Sequence, residues 1–159
     1  MKDINQVNWE ELGAANIPHW LQDLQSKDTS LKLHSESYNE LWQFLIPENE
    51  SWKDQLQMME SEVHHLIVPF LIDILESADS PTHIGSMLEL LELLARRWFV
   101  RTNFSDTNPN KLRWERWARQ INDTVREGIP IYQNLLNNSW ASVREGAQEL
   151  LKVLEQTKA

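Results

Sequence analysis

Chemistry in a protein needs a few reactive side chains held within reach of one another, and several groupings in this chain are candidates. His64 and His65 are adjacent, so on a helix they point roughly 100° apart and cannot hold one ion between them. Glu60 and His64, at i and i+4, share a face and form a possible bidentate metal pair. No third ligand falls at a spacing that completes a site, so packed or surface histidines are the plainer reading. The residue four before His64 is Glu60, which excludes the paired-histidine zinc motif. Gly85-Ser86 lacks the G-x-S-x-G setting of a strained nucleophile turn, and the 4 scattered glycines build no phosphate loop. With no cysteine, disulfides, thiolate zinc sites and cysteine nucleophiles are excluded together. The expectation is a chain that is not an enzyme and takes no cofactor or metal.

Charge is the more informative chemistry. The net charge is −9, unevenly placed: residues 1–95 hold 17 acidic and 4 basic residues, whereas residues 96–119 hold 7 basic and 2 acidic ones. The basic block mixes Arg96, Arg97, Arg101, Arg113, Arg116 and Arg119 with Trp114 and Trp117, as phosphate and single-strand binders do. The acidity around it argues against DNA, and pairing of these arginines with neighbouring carboxylates is the simpler expectation. The acids form a ladder of their own: Glu36 and Glu40, Glu89 and Glu92, Glu145 and Glu149, each pair one helical turn apart. Together with Arg96 from the basic block, these are the candidate partner-binding residues. An acidic face would attract a basic protein and speed its association. Solvated helix surfaces also favour Glu, and that reading stands beside the functional one.

These side chains must be positioned by helices. Glycine and β-branched clusters are few, while Leu, Glu, Gln and Trp abound. At 159 residues the chain is expected to form one domain, residues 1–159. No apolar run approaches the about 20 residues of a membrane span, and the N-terminus has no leader pattern, so a soluble cytoplasmic protein is the default. A short N-terminal helix or cap is expected around Val7, Trp9 and Leu12. Helices follow over 17–25 and 31–45, the second burying Leu31, Tyr38, Leu41, Trp42 and Leu45. An extra helix is expected over 51–60, and one beginning near Ser61 or Glu62 runs through Pro69 to Glu76. Others cover 82–100, 111–126 (carrying Leu112, Trp114, Trp117 and Ile121), 131–136 and 141–154, the last capped by Ser139. Residues 102–110 are the clearest loop.

A repeat underlies this order. Counting from Pro18, Pro69 and Pro130, the second residue on is Trp20, Leu71 and Tyr132, and the sixth is Leu24, Leu75 and Leu136. Leu31-Lys32 matches Val143-Arg144, and Ser35, Ser86 and Ala147 supply a small residue. The order of Ile/Val-Pro, apolar residue, Leu, polar turn, hydrophobic-basic pair and Leu-Leu resembles HEAT repeats, most closely in IPIYQNLLNNSWASVREGAQELLKVL. The copies span about 17–46, 62–100 and 129–157. The middle copy lacks the hydrophobic-basic pair, and the copy spacings of 51 and 61 residues exceed the usual repeat of about 40–47.

The resemblance implies an all-α fold, a short α-solenoid of about three helix pairs with an N-terminal cap and inserted helices. Pairs apolar on more than one side cannot bury themselves alone and must stack, and the second helices then line a concave face. The arrangement also resembles bacterial HEAT-like immunity proteins of toxin systems. That likeness implies a non-catalytic module that neutralises a basic protein through an acidic concave face, with neither nucleic acid nor membrane as partner. The rival from another class is an enzyme or enzyme subunit on a HEAT scaffold, glycosylase-like or chromophore-lyase-like.

Overall fold

Three of the described helices carry a proline in their first turn. Pro18 occupies the first turn of α1 (Ile17–Gln25), Pro81 opens α4 (Pro81–Val100), and Pro130 lies in the first turn of α6 (Ile129–Leu135). There the missing N–H is not needed and the fixed φ already suits a helix. Ser80 completes the start of α4 by accepting the His83 amide at 3.2 Å. The other helices are α2 (Leu31–Leu45), α3 (Val63–Ser77), α5 (Lys111–Arg126) and α7 (Ala141–Gln156). The computed structural model describes residues 3–12, 14–26, 31–46, 63–100, 107, 109 and 111–158, with 31–35 and 100 described by backbone alone. The chain is all-α: among the described residues there are seven α-helices, one 3-10 turn (Ile4–Gln6) and no strand.

The apolar spacing decides which face of each helix turns inward. On α5 the buried residues are Trp114, Trp117, Ala118, Ile121, Asn122 and Val125, a single stripe at helical period. Leu112 lies off that stripe and is 73 % exposed. Helix α3 is apolar on several sides and buries nine residues, from Val63 and His64 through Ile74 and Leu75. Pro69 stands inside it and forfeits one backbone hydrogen bond, a cost of about 3 kcal/mol or more in an isolated helix that burial on several sides offsets here.

Helix α3 packs on α1, α4 and α5, and α4 packs on α5 and most extensively on α7. Helices α1 and α2 pack together, as do α6 and α7. Helices α4 and α7 meet tightly at Gly146, where an added Cβ would lie 3.1 Å from Leu88 Cδ1. Helix α5 is tied to the end of α7. Arg126 Nε donates to Asn122 Oδ1 at 2.7 Å and its guanidinium to the Leu154 carbonyl and Thr157 Oγ1, while Asn122 Nδ2 donates to Thr157 Oγ1 at 2.9 Å.

Several local expectations are corrected. The N-terminal segment is a 3-10 turn capped by Asp3, followed by turns, with Trp9 buried as its anchor. The Trp9 indole donates to the Ile4 carbonyl at 2.8 Å, and its ring meets Phe70 at 5.8 Å. Leu24 and Leu75 are buried, but their counterpart Leu136 is only half-buried, because α6 ends at Leu135 and Leu136 falls in the closing turn. Tyr132 fills the interior instead, its hydroxyl donating to the Val125 carbonyl at 2.8 Å. A side chain at Gly128 would collide with the Tyr132 ring, so this turn requires glycine. Ser139 does not cap α7: the N-cap is Trp140, whose amide is accepted by Asn138 Oδ1 at 2.9 Å. The helix expected over 51–60 and most of the loop over 102–110 lie outside the described residues.

Candidate functional site

The acid ladder lies where its spacing placed it, on the outward sides of α2, α4 and α7. Glu36 and Glu40 on α2, Glu89 on α4, and Glu145 and Glu149 on α7 are exposed. None of the five forms an ion pair among the described residues. Glu92 differs: it is half-buried and holds Arg96 at 3.1 Å. The candidate contact Arg96 is thus engaged by a carboxylate of its own helix. Glu89 follows the buried Leu88 on α4 and is itself turned outward.

Glu89 also meets α2. Tyr38, Asn39, Trp42, Gln43 and Glu89 line a cleft of about 290 Å³ between α2 and α4. The Tyr38 hydroxyl donates to the Ser86 carbonyl at 3.3 Å, and the Tyr38 and Trp42 rings stand 5.7 Å apart at 50°. Burial, and then the charge of Glu89, push the Tyr38 phenol well above its usual range. It therefore remains a neutral donor. Tyr38 and Trp42 were expected in the core, yet both are half-buried. The helical spacing of aromatics at i and i+4 identifies them as neighbours, but nothing local shows that one edge of each faces a polar cleft. The polar residues Asn39 and Gln43, each one residue further along the chain, are the signal that marks this flank of α2.

The basic block is dispersed over different environments. Arg97 is half-buried, and that burial lowers its pKa. Arg119 stacks over Trp98 at 5.3 Å. Arg113 and Arg116 are exposed on α5, and Arg101 lies outside the described residues. Trp114 and Trp117 are buried and stack on each other at 4.9 Å, so the aromatics of this block face the interior and not a nucleic-acid strand.

His64 is buried between Phe44 and Trp117, with ring centroids at 5.5 and 5.8 Å. Its Nδ1 has no hydrogen-bond partner among the described residues. Burial, and then the charges of Arg97 and His65, lower its pKa to about 4. A neutral imidazole in an aromatic stack packs well. Glu60, its suggested partner for a metal, lies outside the described residues. No cluster of three or more His, Asp or Glu that could hold a metal ion exists among the described residues. No helix among them is long and apolar enough to cross a membrane.

Compared with protein-family models, curated proteins and solved structures, the chain matches none.

Proposed function

We propose that this chain is a non-catalytic binding module for a basic protein, engaged through the acidic sides of α2, α4 and α7. The observation that carries this reading is the five exposed carboxylates on these helices, none paired with a cation among the described residues, in a chain of net charge −9. Unpaired acids on neighbouring helices repel one another, a cost that a basic partner would relieve. If these second helices belong to stacked HEAT-like pairs, their common face is concave and focuses the field. Charge steers the encounter, whereas affinity needs apolar anchors. Trp140, 41 % exposed at the start of α7, and the half-buried Trp42 on α2 are suited to that role. The most specific form of this reading is immunity: a basic toxin held with its active surface covered.

The test is affinity capture from the native cell extract, with mass spectrometry of the retained proteins. The bait is the wild type, a Glu89→Lys/Glu145→Lys variant, or a Glu76→Lys/Glu127→Lys variant with the same change in charge. Asp23 would be a poor control, because it accepts the Ser37 hydroxyl at 2.5 Å. Basic proteins retained by the wild type and the control, and lost from the first variant, support the reading. Equal loss from both variants, or from neither, overturns it.

A further inference from the structure

The cleft between α2 and α4 combines features that an acidic surface alone does not have. Two aromatic rings form its wall, a carboxylate with no ion pair among the described residues stands at its edge, and the carboxamides of Asn39 and Gln43 flank it. Both carboxamides are exposed and have no hydrogen-bond partner among the described residues, so their oxygens are available as acceptors. We propose that this cleft receives an arginine side chain of the partner protein, its guanidinium stacked on Trp42 and hydrogen-bonded to Glu89. The inference rests on the basic-partner reading above and names the group that the surface recognises.

The chemistry of the lining selects this occupant. An anion would meet the charge of Glu89, and a purely apolar group would strand the carboxylate and both amides. A cation satisfies all three and gains the π-face of tryptophan, the strongest of the aromatic cation acceptors. Guanidinium suits the site better than ammonium: it is planar, weakly hydrated and presents a fork of donors to a carboxylate while lying flat on a ring. Tyr38 supports the site and does not compete for it, since its hydroxyl is engaged by the Ser86 carbonyl. The volume of about 290 Å³ is at the small end for ligand pockets, and three of the five lining residues are exposed. A free small molecule would remain largely solvated there, whereas a side chain held by a larger interface would not need to bury itself. The chain does not fill the cleft with the arginine seven residues beyond Glu89, because Arg96 is held by Glu92.

The test uses the full chain labelled with 15N, following the tryptophan indole N–H signals by NMR. The probes are the peptides acetyl-Gly-Arg-Gly-amide and acetyl-Gly-Lys-Gly-amide, with free arginine as a third. The arginine peptide is expected to shift the Trp42 signal saturably while Trp140, exposed but hydrogen-bonded through its carbonyl to the amide of Arg144, stays still. Glu89→Gln, a substitution at an exposed position, is expected to weaken the response by about threefold to tenfold. The lysine peptide should bind more weakly, and free arginine, with its own carboxylate, more weakly than the arginine peptide. An equal response to lysine, no change in Glu89→Gln, or a shift shared by Trp140 overturns the cleft as an arginine site. The broader reading fails separately. A basic protein captured equally by wild type and Glu89→Gln discards the cleft and keeps the acidic surface. A saturable Trp42 response without any captured basic protein does the reverse.

Discussion

Helix α4 has two neighbours that it treats in opposite ways. Toward α7 it is sealed: Leu88 packs so close to Gly146 that an added Cβ would crowd it, and Leu88, Leu91, Ala147 and Leu150 are all buried. Toward α2 it is open, joined by the hydrogen bond from Tyr38 to Ser86 and separated by a polar and aromatic cleft. A glycine stands at the first joint and two aromatic rings at the second. Stability therefore belongs to one side of α4, and the capacity to take up a foreign group to the other.

The sharpest way to break this comparison is at the sealed joint. Leu88→Ala is expected to cost about 2–5 kcal/mol in urea denaturation, the range for a fully buried leucine with a cavity left behind. A loss below about 1 kcal/mol would mean that the α4–α7 joint is as loose as the other.

The next effect tests whether α2 is sealed on its inner side, where Phe44 covers His64. The folded-state pKa of His64 is lowered from 6.5 to about 4. Above pH 6.5 the ring is neutral in both folded and unfolded chains, and its burial costs nothing electrostatic. As the pH falls, the unfolded chain takes the proton first, so stability drops progressively until the folded ring also protonates near pH 4. The full loss is roughly 3 kcal/mol. Carboxylates titrate in part of this window, so the measurement is the difference between wild type and His64→Phe in urea midpoints from pH 7 to 4. A variant with an unchanged pH slope would show that water reaches His64 and that α2 is open on both sides.

The smallest effect belongs to the open joint. Tyr38→Phe removes one long hydrogen bond at a half-buried site and is expected to cost about 0.5–1 kcal/mol. A cost equal to that of Leu88→Ala would make Tyr38 a structural clamp, and the cleft a defect in packing and not a receptor.

Much of the helical order was legible in the sequence because it is local. The periodicity of α5 and the prolines of α1 and α4 mark their own positions, and the exposure of Glu36, Glu89 and Glu145 follows from lying opposite an apolar stripe. Burial at the ends of elements was not legible. Leu136 matches Leu24 and Leu75 in register, but α6 ends at Leu135 and leaves Leu136 in the closing turn. Ser139 has the chemistry of a cap, yet Asn138 turns the chain first. The cleft was hidden for another reason: Tyr38 and Ser86 are 48 residues apart, and no local pattern encodes which helix flank meets which. The clamp of Arg126 on Asn122, Leu154 and Thr157 joins α5 to α7 in the same non-local way.

Trp9 covers the ring of Phe70 on α3 from a segment that has no α-helix of its own. Such a cover can lift away while every helix behind it stays formed, because it takes few backbone hydrogen bonds with it. What it would uncover is an aromatic flank of the most apolar helix, the kind of surface on which a second copy settles. The first symptom of a damaged cap would therefore be stickiness in a still-folded protein, visible as clustering at high concentration well before any loss of helix.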